Sequence, residues 1–94
     1  MVDFRVMIIE YYPGGGSRGD MDTMIKKAKT LKKYLLNSRF GINESQIDVE
    51  KNYKNEYCLV EICSIPDSNI KKVLKICKKI EPYSIRTNWN INKQ

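Results

Sequence analysis

Two stretches of helical period, set among four alternating or β-branched runs, predict an α+β domain of order β-α-β-β-α-β. The first helical stripe is Met21, Met24, Ile25, Ala28, Leu31 and Leu35, recurring at i, i+3, i+4 and i+7. The second is Ile70, Val73, Ile76, Cys77 and Ile80. Strand character falls at residues 4–12, 47–53, 57–64 and 83–89. With 94 residues the chain has room for one core, so a single domain over 1–94 is expected.

The elements follow in order. Residues 4–12 (FRVMIIEYY) are β-branched and aromatic and read as a central strand. The run Pro13-Gly14-Gly15-Gly16-Ser17 stops it. Asp20 is placed to cap the first helix, Asp22 lies in its first turn, and Gly41 reads as its closing C′ residue. In 47–53, Ile47 and Val49 alternate with Asp48 and Glu50, the pattern of a half-buried strand. A polar turn at 52–56 leads into the second strong strand, YCLVEICS. Pro66-Asp67-Ser68 punctuates before the second helix, which Pro82 ends by pushing the preceding residue out of the α region. A short last strand and a loose polar tail at 89–94 complete the reading.

This order is the split-βαβ, ferredoxin-like arrangement: a four-stranded antiparallel sheet, order 4-1-3-2, with two helices on one face. Strand parity then assigns the faces. Phe4, Val6, Ile8, Cys58, Val60 and Ile62 suit the helix-covered side. Arg5, Met7, Ile9 and Tyr11, with Tyr57, Leu59, Glu61 and Cys63, fall on the open side. The strip Met7, Ile9, Tyr11, Tyr57 and Leu59 is more apolar than a solvated face requires, which leads to the expectation of a homodimer interface there.

Charge is the feature with most bearing on function. The formal net charge is +6. Lys26, Lys27, Lys29, Lys32 and Lys33 on the first helix, and Lys71, Lys72, Lys75, Lys78 and Lys79 on the second, have no acidic residue interleaved. A helix needing only solubility gains from mixed signs at i,i+4. Unopposed lysine therefore points to an acidic partner, nucleic acid or a nucleoprotein, met through Lys26, Lys29, Lys33, Lys71, Lys75 and Lys78, with Arg18 adding charge from the glycine-rich turn. Lys32 falls within the apolar stripe and reads as a structural lysine, its stem over the core and its head in water.

Catalytic chemistry is poorly provided for. The chain has no histidine, and Cys58, Cys63 and Cys77 lack both framework spacing and an activating base. Free thiols and the lack of a signal-like start give the expectation of a cytoplasmic protein, with no membrane, metal or cofactor requirement. PGGGSRGD lies between strand and helix but lacks the Lys-Ser/Thr of a phosphate-binding loop. The strand EYCLVEICSI lacks the RNA recognition motif's Lys/Arg-Gly-Phe/Tyr pattern. Glu10, Asp20 and Asp22 are the carboxylates that a magnesium ion would use. In length and strand order the chain resembles the CRISPR adaptation nucleases, small basic ferredoxin-like dimers. That resemblance implies a metal-site aspartate at the end of the first strand, where Tyr11 and Tyr12 stand here. The leading expectation is a non-catalytic binding or regulatory domain. The alternatives are a small phage-type inhibitor that binds a host defence complex, and a metal-dependent nuclease.

Overall fold

Alternation along β1 (Val2–Ile8) is complete: Val2, Phe4, Val6 and Ile8 are fully buried while Asp3 and Arg5 are exposed. The computed structural model describes residues 1–14, 16 and 18–88. After β1 come α1 (Met21–Leu36), β2 (Ile47–Asn52), β3 (Tyr57–Ile65), α2 (Ile70–Lys78) and β4 (Ser84–Thr87). Short 3-10 turns at Glu44–Gln46 and Asp67–Asn69 precede β2 and α2. The sheet is four-stranded and antiparallel in the order β2-β3-β1-β4, the ferredoxin-like arrangement expected.

One apolar cluster holds the layers together. Met24, Ala28, Leu31 and Leu35 of α1 and Val73, Ile76 and Cys77 of α2 pack onto the even-numbered residues of β1 and onto Cys58, Val60 and Ile62 of β3. Full burial of each such aliphatic side chain contributes roughly 1.5–3 kcal/mol before chain entropy is set against it. The helices run antiparallel, with Lys79 over the Tyr34 ring at 5.6 Å and Lys72 over the Phe40 ring at 5.4 Å. Among the described residues no helix is long and apolar enough to cross a membrane.

Several boundaries differ from the sequence reading, each for a local reason. β1 stops at Ile8 rather than Tyr12, because its pairing with β3 ends at Ile8–Cys58 and with β4 at Met7–Ser84. Beyond that point the chain folds back on itself: Asp20 N–H donates to Glu10 O (2.8 Å) and Tyr12 N–H to Arg18 O (3.2 Å), with Tyr11 bridged to Gly19. Ile9 and Tyr11 therefore lie beyond the end of β1, the strand whose parity assigned them to the open face. α1 ends at Leu36 and not at Gly41. Asn37 N–H donates to Lys33 O at 3.0 Å, and Ser38 Oγ donates to Leu35 O at 2.6 Å, closing the last turn. β4 is described to Thr87, and the polar tail at 89–94 lies outside the described residues.

β3 gains a residue that parity alone would turn outward. Val2 pairs with Ile65 and Phe4 with Ile62, so Cys63 and Ser64 of β3 together oppose Asp3 of β1. Ser64 takes φ of 58°, with its N–H donating to Asp3 Oδ1 at 3.0 Å. Gln46 Nε2 donates to Cys63 O at 3.1 Å and Ser64 O at 3.3 Å. The bulge returns Ile65 to the core.

Candidate nucleic-acid interface and the open sheet face

A rotation of 100° per residue places Lys26, Lys29 and Lys33 on the side of α1 opposite Ala28, Leu31 and Leu35. The same rotation places Lys71, Lys75 and Lys78 opposite Val73 and Ile80. Those six side chains are exposed, and among the described residues none takes part in an ion pair. Both stripes lie on the outer surface of the helical layer, away from the sheet. The one acid on the outer side of α1 is Asp22, in its first turn. The two stripes form a broad cationic surface.

The remaining lysines of the two helices make contacts within the domain. Lys27 Nζ lies 2.8 Å from Glu10 Oε2 and 3.4 Å from Glu81 O, tying α1 to the end of β1 and to the chain after α2. Lys32 Nζ lies 3.1 Å from Glu44 Oε1, a half-buried stem with a paired head, where the sequence reading left that head to water. Lys72 and Lys79 sit over aromatic rings. Arg18 is exposed on the turn before α1, its guanidinium 5.5 Å from the centre of the Tyr12 ring, apart from the helical stripes.

Two of the three carboxylates weighed as magnesium ligands are otherwise engaged, and Asp22 is exposed in the first turn of α1. Glu10 pairs with Lys27. Asp20 caps α1, accepting from Thr23 N–H at 3.1 Å and Thr23 Oγ1 at 2.7 Å. Those bonds, the hydroxyl's first, hold its carboxyl below its ordinary pKa. Among the described residues no group of three His, Cys, Asp or Glu could hold a metal ion. The thiols are free: Cys58 and Cys77 are buried, and burial pushes the Cys77 pKa up to about 12. Cys63 is half-buried on the open face, and its pKa is raised first by desolvation and then by Asp3, Glu61 and Asp48.

The open sheet face departs most from the apolar strip expected. Leu59 is only 6% exposed, Met7 and Tyr57 are half-buried, and a shallow hollow is lined by Arg5, Met7, Leu59, Tyr83, Ser84 and Arg86. Register sets the charges in rows. Asp48 pairs with Glu61, Glu61 with Arg5, and Arg5 with Arg86, so one row across the sheet carries two acids followed by two bases. The adjacent row reads Glu50, Leu59, Met7, Ser84. Arg5 Nε stands 3.7 Å from Glu61 Oε2, a long and exposed contact.

A further group emerges only with the topology. Tyr11 (57% exposed), Tyr12 (42%), Tyr53 (64%) and Tyr83 (69%) all lie at the end of the sheet where β1 and β2 finish and β3 and β4 begin. They come from three separate connections. No sequence window brings them together, and only the strand order could have found them.

Comparison of the chain with protein-family models, with curated proteins and with solved structures finds no match.

Proposed function

We propose that this domain is a non-catalytic binding or regulatory module that engages nucleic acid, free or within a nucleoprotein, through the outer surface of α1 and α2. The observation carrying this reading is the pair of lysine stripes, Lys26, Lys29, Lys33 and Lys71, Lys75, Lys78, exposed and without acidic partners among the described residues. Lysine on a convex surface attracts phosphate by charge without reading bases, so binding is sequence-blind and salt-sensitive. Anisotropy titrations with labelled single- and double-stranded DNA and RNA test this. Affinity should fall steeply between about 50 and 200 mM salt, with a slope reporting several phosphate contacts. Changing Lys71, Lys75 and Lys78 to Glu should abolish binding, whereas Lys54→Glu on the β2–β3 turn should leave most of it. Unchanged affinity in the triple variant overturns the reading.

A second reading, a small inhibitor directed at a protein complex, is favoured by the exposed tyrosines Tyr11, Tyr12, Tyr53 and Tyr83 at one end. Tyrosine supplies a large apolar area with a polar tip and is enriched at protein interfaces. Loss of activity on changing Tyr53 and Tyr83 to Ala, with the lysine variants unaffected, would select it.

A further inference from the structure

We infer that the open face of the sheet is a self-association surface, occupied by a second copy of this chain related by a two-fold axis running parallel to the strands between β1 and β3. The inference is independent of what the lysines bind.

The argument begins with a cost inside the monomer. Across the sheet, neighbouring strands lie about 4.8 Å apart, and like charges directly opposite one another destabilise the pair. The row Asp48–Glu61–Arg5–Arg86 makes that pairing twice, acid beside acid on β2 and β3 and base beside base on β1 and β4. Only the central Arg5–Glu61 contact offsets it, at 3.7 Å. Exchanging the residues at 61 and 48, or at 5 and 86, would not help. The arrangement is sorted by side and not alternating.

A sorted row is self-complementary under one operation. Rotation by 180° about an axis along the strands reverses the row and turns it face to face with itself. Arg86 then meets Asp48 of the partner subunit, and Arg5 meets Glu61 of the partner subunit. In the next row, Met7 meets Leu59 of the partner subunit, so this apolar pair and the inner charge pair lie beside the axis, with the outer charge pair at the rim. Such a contact is isologous and closes at two copies. The alternative axis, across the strands, keeps each residue on its own side of the sheet and sets the basic half against the basic half. Charge therefore selects the first. Aligned sheets packing this way cross at about −30°.

Size sets the expected strength. Four strands at about 4.8 Å spacing and some 25 Å long give roughly 500 Å² of face per subunit, or about 1,000 Å² for the pair. That is the low end for specific contacts. Leu59 is already largely covered, which leaves little apolar area to gain. The dimer is expected to be weak, with micromolar or higher dissociation constants.

Sedimentation equilibrium on the full chain tests this, using charge reversal. Arg5→Glu sets an acid against Glu61 of the partner subunit, and Glu61→Arg sets a base against the partner's Arg5, so each variant alone should be monomeric. Mixed in equal amounts, the two variants restore opposite charges at every position of the row and should form a heterodimer. The double variant, Arg5→Glu with Glu61→Arg, should dimerise like the wild type. If either single variant loses the wild-type circular dichroism spectrum, Arg86→Glu and Asp48→Lys provide the same three-way test at the outer pair. Wild-type association should also weaken at least tenfold as salt rises from about 50 to 500 mM, since the outer charge pair stands in water at the rim. A wild-type monomer at all concentrations overturns the proposal. So does a dimer that survives the single reversals or ignores salt.

Discussion

The backbone N–H of Gly19 donates to Oε2 of Glu56, joining the loop before α1 to the β2–β3 turn across 37 residues of chain. Gly19 is buried, and a Cβ added there would stand 2.6 Å from Glu56 Oε2 and 2.7 Å from Glu56 Cβ. The close approach of two connections is therefore what excludes a side chain at position 19.

Gly19→Ala should destabilise the domain by roughly 1–3 kcal/mol, because the Glu56 backbone must move and not merely its carboxylate. Thermal melts followed by circular dichroism would register this as a fall of about 4–8 °C per kcal/mol. Glu56→Gln keeps an acceptor and should cost less than Glu56→Ala, which leaves a buried N–H unpaired.

Asp20 should make stability depend on acid pH. Its folded pKa lies below the ordinary 3.8, so its ionised form is favoured by folding. The contribution is complete above the unfolded value and disappears as pH falls through the folded one. Urea unfolding of the wild type and Asp20→Asn should differ most near about pH 7 and converge as pH falls below the ordinary 3.8 and through the lower folded value. A gap independent of pH would show that the Thr23 bonds do not discriminate between the charged and neutral carboxyl.

The thiols should separate by reactivity. With its pKa near 12 and no exposure, Cys77 should resist a thiol reagent in the native state, as should buried Cys58. Cys63 should label first yet slowly, since desolvation and the carboxylates of Asp3, Glu61 and Asp48 disfavour its thiolate. All three should label at once in denaturant, which a timed titration with mass spectrometry resolves.

Glu81 follows α2 with φ of 51°, its N–H donating to Lys78 O at 3.1 Å, at a position where helices commonly place glycine. Glu81→Gly should raise stability by up to about 1 kcal/mol, by removing the left-handed strain of a residue with a Cβ. The Lys27 contact to the Glu81 carbonyl is backbone at that end and should survive.

Element type and order were legible because periods of 3.6 and 2 are local properties. Ends were less legible where they depend on partners. Residues 9–12 keep the composition of a strand, yet β1 stops at Ile8, where the chain leaves β3 and β4 and pairs instead with Gly19 and Asp20. Ile65 reaches the core only through the Ser64 bulge, which Asp3 and Gln46 support from elsewhere in the chain. The exposed lysines could be read from helical spacing. Of the other lysines, Lys27 meets Glu10 only once the chain turns back at residues 10–20. The charged row of the open face needed the strand register, which places Asp48 and Arg86 on a common line although 38 residues separate them.

The division of charge between the two layers has a kinetic consequence. Lysines crowd the outer side of the helices, while on the far side of the sheet Asp48, Glu50 and Glu61 outnumber Arg5 and Arg86. The domain is thus an electric dipole as well as a net cation. In the field of a polyanion it experiences a torque, which turns the helices inward before any contact forms. For the proposed nucleic-acid binding, orientation would then be set during approach, with fewer encounters wasted on the other face. Reversing charges on the sheet side should alter how often encounters succeed while leaving the contacts of the bound state unchanged.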